Sequence, residues 1–192
     1  MTAVAITGKQ FLIKKKFLKL LGSDFQVFDE NQRQILFAHL KAFKLKEDIT
    51  LYTDETKSEA VIQIKARKII DFSSAYDFYD SRTGQKIGAA KRKGWKSILR
   101  DEWIIMDLDD REIGNIKEDS TMMALLRRFI TNLIPQRFHV MVNNAEVAHY
   151  RNNFNPFLSK VQVVMLKEDP SFSPEFAIAM GILLCAIEGK QR

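Results

Sequence analysis

The residues of this chain best suited to chemistry form a run of cations around one aromatic side chain. Lys91-Arg92-Lys93-Gly94-Trp95-Lys96 places four cations beside an indole, and Arg100 follows shortly. Converging cations bind phosphate and carboxylate groups, and an amphipathic indole can anchor at an interface. The alternative is a solvated edge strand that its lysines protect from aggregation, and both interpretations remain open. The candidate anion-binding residues are Lys91, Arg92, Lys93, Trp95, Lys96 and Arg100.

A second basic segment, Lys14-Lys15-Lys16 with Lys19, lies near the start of the chain. In a helix these lysines would form a basic amphipathic surface suited to a membrane. In a strand, alternate lysines would point to opposite faces and the cluster would be diluted. The apolar residues around the lysines fit both periods, so helix and strand both remain open over residues 11–21.

Histidine and cysteine, the side chains that most often bind metals or act as nucleophiles, are scattered along the chain. His39, His139 and His149 fall on separate predicted strands. The single cysteine, Cys185, lies in an apolar segment, where a thiol behaves as a small hydrophobic group with a raised pKa. The sequence therefore predicts no metal site and no reactive thiol.

Carboxylates that could act as acids or bases fall at predicted turns, where aspartate bonds its own backbone. These are Asp29, Asp80 and Asp107. The chain contains no zinc-ligand spacing, P-loop, dinucleotide-binding glycine pattern or nucleophile elbow. We predict no catalytic residue and no cofactor. An enzyme whose pocket forms at the mouth of a barrel, only on folding, is an alternative.

Composition limits the class of protein. With 192 residues, 46% of them hydrophobic, the chain can bury one sizeable core, and no linker divides it. We expect one domain over residues 11–189, a flexible N-terminus over 1–10 and a tail over 190–192. A net charge of +6 and a pI near 9.4 favour acidic partners. One cysteine and the lack of a signal-peptide pattern favour the cytoplasm.

The C-terminal segment predicts a helix that is apolar on every side. Ser173 is placed as the N-cap, Pro174 as the first helical residue, and Gly189 as the stop. The uncharged part, residues 176–187, would span only about 18 Å, which is too short to cross a bilayer. A helix without a polar face must be surrounded, so we predict a buried core helix.

Five segments upstream share a pattern in which an aromatic residue or isoleucine and any residue precede two apolar residues. Four of them reach an aspartate and a polar turn, which indicates β-hairpins. The segments begin at Phe25, Ile49, Tyr76, Trp103 and Phe138. About a dozen short antiparallel strands are predicted, typical of a barrel or sandwich. An amphipathic helix is predicted near 120–134.

The last hairpin permits a register prediction around Asn143-Asn144. A two-residue turn pairs Val142 with Ala145. Continued pairing then places Val140 opposite Val147 and Phe138 opposite His149. In this register His139 and His149 lie on opposite faces of the sheet.

The order of these elements resembles the tubby-like superfamily, in its LURP-one-related and phospholipid-scramblase-like branch. Residues 11–17 resemble its opening strand, 24–30 its first hairpin, 76–88 its central hairpin, and the closing apolar segment its barrel-filling helix. The resemblance covers about 11–188. It implies a mainly β (α+β) fold, an approximately twelve-stranded closed antiparallel β-barrel around a buried C-terminal helix.

The resemblance also implies function, because tubby domains bind phosphoinositides and scramblase-like members associate with membranes. The chain shows no calcium-loop pattern and no hydrophobic tail long enough to span a bilayer, so we do not infer scramblase activity. We expect a non-enzymatic module that binds anionic phospholipid headgroups through the run at residues 91–100, peripheral to a membrane. Each cation near such a surface contributes about 1 kcal/mol. Nonspecific nucleic-acid binding is an alternative, since it needs the same charge, and the oligomeric state is left open.

Overall fold

The computed structural model describes residues 6–18, 22–41, 48–67, 75–93, 102–118, 136–153 and 158–188. In these ranges, twelve strands and one helix follow one another along the chain. They are β1 Gln10–Leu18, β2 Gly22–Phe28, β3 Gln34–Lys41, β4 Ile49–Tyr52, β5 Ala60–Ala66, β6 Ala75–Asp80, β7 Lys86–Arg92, β8 Glu102–Met106, β9 Glu112–Glu118, β10 Gln136–Val142, β11 Ala145–Asn153, β12 Leu158–Met165 and α1 Pro174–Glu188.

The strands form one closed antiparallel barrel in which each strand pairs with its neighbour in sequence. Pairing of β1 with β12, with Ile13 opposite Val161, closes the barrel. The predicted twelve-stranded barrel is confirmed. The helix predicted near 120–134 lies outside the described residues, as do residues 189–192. Within the described part of the chain, no helix is both long enough and apolar enough to span a bilayer.

Alternation of apolar and polar residues gives each strand an inner face toward the core and an outer face toward solvent. In β2, for example, Phe25 and Val27 are fully buried while Asp24 and Gln26 face outward. The hairpin aspartates act as predicted, since Asp29 accepts hydrogen bonds from the backbone N–H groups of Asn31 and Arg33. Asp80 and Asp107 accept equivalent bonds at their own turns.

Helix α1 fills the barrel, as its apolar composition predicts. Its side chains from Phe176 to Ile187 are buried, and Ser173 Oγ accepts a hydrogen bond from Phe176 N–H as the N-cap. The Phe176 ring packs against the Phe78 ring with 4.7 Å between centroids. Tyr150 O–H donates to the carbonyl of Ala177 at 2.9 Å. The helix and the inner barrel wall therefore form one continuous core.

The register of the last hairpin corrects the sequence prediction. Val142 does pair with Ala145 across a turn in which Asn143 and Asn144 both have positive φ. A β-bulge next to Met141 then shifts the pairing, so that Val140 faces Ala148 and His139 faces His149. The predicted pairs Val140–Val147 and Phe138–His149 were therefore wrong, since Phe138 faces Tyr150.

The bulge has a physical cause in the core. It turns Tyr150, rather than His149, into the barrel, where the hydroxyl group of Tyr150 bonds the helix. Burial raises the pKa of this phenol, which stays neutral. His139 and His149 consequently share the outer face, contrary to the prediction from the unbulged register.

Candidate anion-binding surface

The predicted run at residues 91–100 is only partly described. Lys91 is exposed on the outer wall of β7. Arg92 pairs with the buried Trp103 and therefore lies on the inner face. Lys93 donates from Nζ to Glu102 Oε1 at 2.8 Å. Strand alternation thus separates Lys91 and Arg92, and Trp95, Lys96 and Arg100 lie outside the described residues.

Glu102 neutralises the outer part of this region. Burial alone would raise the pKa of Glu102, but the nearby Lys93 and Lys117 hold it below its usual range. Lys117 Nζ lies 3.4 Å from the same carboxylate oxygen. A carboxylate shared by two lysines leaves this area less available to an external anion.

The N-terminal basic segment is a strand, which settles the alternative that the sequence left open. Lys14 and Lys16 face outward, while Lys15 points into the barrel and is only 3% exposed. Lys15 donates from Nζ to the carbonyl of Cys185 at 2.9 Å, near the C-terminal end of α1. The lysine cluster is therefore split between the two faces, as the strand alternative predicted.

A different set of cations converges on the outer face of β10, β11, β12 and β1. Arg137 pairs directly with Arg151, and Lys160 pairs directly with Lys14. Arg151 and Lys160 are diagonal neighbours, because the partner of Arg151 on β12 is Gln162. We call the four residues Lys14, Arg137, Arg151 and Lys160 the basic wall.

Like charges directly opposite each other destabilise a sheet, since their Cβ atoms lie only about 5 Å apart. The basic wall contains two such pairs. In the part of the chain that the structure describes, no ion pair joins any of its four cations to a carboxylate. The wall therefore carries a repulsion that an external anion can relieve.

Several cations elsewhere on the described barrel surface have carboxylate partners. Arg67 donates to Asp77 and Asp110, and Lys86 lies within salt-bridge distance of the same two residues. Arg82 pairs with Asp80 in the same way. The contrast distinguishes the basic wall from an ordinary solvated strand face, on which charges of both signs are mixed.

Two histidines extend the basic wall. His139 and His149 pair directly on the outer face, each next to a wall arginine two residues away on its own strand. His139 Nδ1 lies 2.6 Å from Glu146 Oε1, and Lys117 is the partner of His139 on β9. The carboxylate of Glu146 is thus already bonded to His139.

Sequence reasoning missed most of this surface. Its residues come from the two ends of the chain, and only barrel closure between β1 and β12 makes Lys14 a neighbour of Lys160. The exposed positions of β10 to β12 do carry the signal, since a cation recurs on the polar face of each strand. The histidine pair could not be found, because the bulge decides which face His149 occupies.

The requirements of an enzyme are met only in part. His39 Nδ1 lies 2.6 Å from Asp24 Oδ1, but this pair sits on the outer wall, where Lys16 is the partner of Asp24. The buried side chains of α1 occupy the interior beside it. Among the described residues, no group of three or more His, Cys, Asp or Glu residues could hold a metal ion.

Comparison with known proteins matches most of the chain to a family. The family model described as LURP-one-related matches residues 34–185, which includes three of the four residues of the basic wall. Searches among curated proteins and among solved structures returned no match.

Proposed function

Because this chain belongs to the LURP-one-related family, we propose that it is a non-enzymatic module that binds anionic phospholipid headgroups reversibly at a membrane surface. The observation that carries the proposal is the basic wall, in which opposed cations lack carboxylate partners among the described residues. The resemblance to tubby-like domains, which bind phosphoinositides, supports the same class of ligand.

The size of the expected effect suits reversible binding. Each cation near an anionic bilayer contributes about 1 kcal/mol, so four contribute about 4 kcal/mol. That free energy corresponds to a dissociation constant of about 1 mM. We expect peripheral attachment that weakens as ionic strength rises.

A lipid surface suits the basic wall better than a nucleic acid. Proteins that bind single strands usually combine cations with aromatic rings on which bases stack. One aromatic ring does lie beside the wall, because Lys14 Nζ is 4.0 Å from the centroid of the Phe28 ring on β2. In the described parts of β10, β11, β12 and β1, the outward residues beside the wall are aliphatic or polar, such as Leu12, Gln162 and Val164. A flat lipid surface requires only outward charge spread over several strands.

Cosedimentation with liposomes tests the proposal. We expect the protein to pellet with vesicles of phosphatidylcholine and phosphatidylglycerol, and not with phosphatidylcholine alone. The double variant Arg137→Gln/Arg151→Gln should lose about 2 kcal/mol, or about thirtyfold in affinity. Lys57→Gln/Lys65→Gln is the matched control, because it removes two exposed cations at the β4–β5 turn and on β5, across the barrel from the wall.

Three outcomes count against this function. Equal recovery with neutral and anionic vesicles rejects it, and so does an equal loss in the test and control variants. The third outcome is binding of labelled oligonucleotides that is tighter than vesicle binding and lost in Arg137→Gln/Arg151→Gln, which assigns the wall to nucleic acid. A Lys91→Gln variant that loses more than the wall variant would move the site back to residues 91–100.

A further inference from the structure

The paired histidines lie where a change in their charge acts directly on the basic wall. His139 and His149 are opposite each other, and the wall arginines Arg137 and Arg151 form the next pair along the same two strands. Both histidines are partly exposed on the outer face. Histidine is the side chain whose charge changes near neutral pH.

The described charged groups facing this pair come from three strands. On β9, Lys117 is the partner of His139. On β10 and β11, Arg137 and Arg151 flank the histidines, and Glu146 is bonded to His139. On β12, the partner of His149 is Val164, which carries no charge. Three cations and one carboxylate therefore surround the pair.

We propose that His139 and His149 belong to the anion-binding surface and couple it to pH, so that the protein binds an anionic bilayer more tightly as pH falls from 7.5 to 5.5. This inference rests on the proposed lipid-binding function. It adds two residues to the site and assigns them a role that Arg137 and Arg151, which are always charged, cannot have.

The sign follows from linkage. Lys117, Arg137 and Arg151 are the described cations beside the histidines, and Lys117 also lies 3.4 Å from Glu102. An anionic surface screens those cations and attracts imidazolium, so binding promotes proton uptake. Coupling between two binding events is reciprocal, and proton binding must therefore strengthen membrane binding by the same factor. Affinity increases as pH falls.

The expected magnitude is about fivefold for each histidine that becomes charged, and at most about thirtyfold for both. Phosphatidylglycerol is a suitable probe lipid because its phosphodiester remains ionised from pH 7.5 to 5.5. Cosedimentation at pH 7.5, 6.5 and 5.5, at constant ionic strength, measures the change.

The test compares three proteins. Wild type should bind at least fivefold more tightly at pH 5.5 than at pH 7.5. His139→Gln/His149→Gln should lose most of the increase in affinity between pH 7.5 and pH 5.5. His39→Gln is the matched control, because His39 contacts a carboxylate at the same 2.6 Å on the outer wall but lies on β3, away from the basic wall. It should keep the full increase.

A gain-of-charge variant separates this coupling from loss of structure. His149→Lys should bind more tightly than wild type at pH 7.5 and show a smaller rise on acidification, with thermal melts confirming that each variant folds. Binding that is independent of pH in wild type, or equal pH dependence in wild type and His139→Gln/His149→Gln, overturns this inference and leaves lipid binding standing. Absence of binding to anionic vesicles at every pH overturns both proposals.

Discussion

Lys15 is the residue at which local patterning and residue preference conflict most directly. The alternation through Phe11 and Ile13 places position 15 inside the barrel, yet lysine is rarely buried without a partner. Its partner is the carbonyl of Cys185, near the C-terminal end of α1. A cation at a helix C-terminus is also favoured by the helix dipole.

We predict that Lys15→Met destabilises the protein by about 1–3 kcal/mol, because it removes the hydrogen bond that Lys15 donates to the buried carbonyl of Cys185. Lys16→Met is the matched control, since the neighbouring side chain faces outward, and it should change stability by less than about 0.5 kcal/mol. Urea unfolding followed by circular dichroism measures both. A Lys15→Met protein as stable as wild type would show that the buried charge costs as much as its hydrogen bond contributes.

Among the elements, α1 and the hairpins were predictable because short-range signals define them. The N-cap Ser173 and the uninterrupted apolar residues indicate the helix, and the turn aspartates indicate the hairpins. The bulge in β11 was not predictable, since it depends on a hydrogen bond between Tyr150 and the helix, far away in sequence. Wherever packing against α1 sets the register, the sequence of one hairpin cannot determine which residues face outward.

Packing between β7 and α1 depends on the absence of a side chain at Gly88. A Cβ atom built at this position would lie 2.3 Å from Cε1 of Phe176. The Phe176 ring cannot easily withdraw, because the rings of Phe78 and Phe172 pack against it with centroids 4.7 and 5.1 Å away. The helix and this strand are therefore closely fitted along one ring face.

We predict that Gly88→Ala destabilises the protein by about 1–3 kcal/mol, through overpacking against Phe176 and because Gly88 has a φ of 155°, which alanine rarely adopts. Phe176→Leu alone should also destabilise it, by leaving a cavity. The double variant should lose less than the sum of the two single losses, because the smaller leucine relieves the contact with Ala. Strict additivity in urea unfolding would show that the loss at position 88 comes from the backbone and not from Phe176.

Across the whole molecule, surface charge is organised differently on two sides of the barrel. The arc from β5 to β9 carries the cations Arg67 and Lys86, whose carboxylate partners Asp77 and Asp110 are close, whereas the arc from β10 through β12 to β1 carries the basic wall. The overall barrel was predictable from the resemblance, but this asymmetry was not. The asymmetry depends on which strands become neighbours when the barrel closes, and no local sequence pattern indicates that pairing.

An ion-pair network on the arc from β5 to β9 makes stability depend on pH. It consists of Arg67, Asp77, Lys86 and Asp110, and it links β5, β6 and β7 to the turn between β8 and β9. Burial alone would raise the pKa of Asp77, but hydrogen bonds from Arg67 and Lys86 hold it below its usual range. Hydrogen bonds from the same two cations lower the pKa of Asp110.

A carboxylate whose pKa is lower in the folded state contributes stability above its unfolded pKa of about 4, and this contribution is lost as pH falls through the lower folded value. We therefore predict that the free energy of unfolding is nearly constant from pH 7 to 5 and decreases below about pH 4.

Asp77→Asn should cost about 1–2 kcal/mol at pH 7, because it removes a charged partner of Arg67, and much less at pH 3, where wild type has lost the same charge. Asp48→Asn, at an exposed position before β4, is the control and should leave the pH profile unchanged. Urea unfolding at each pH measures the difference, and a constant gap between wild type and Asp77→Asn from pH 7 to 3 would contradict the electrostatic origin of the effect.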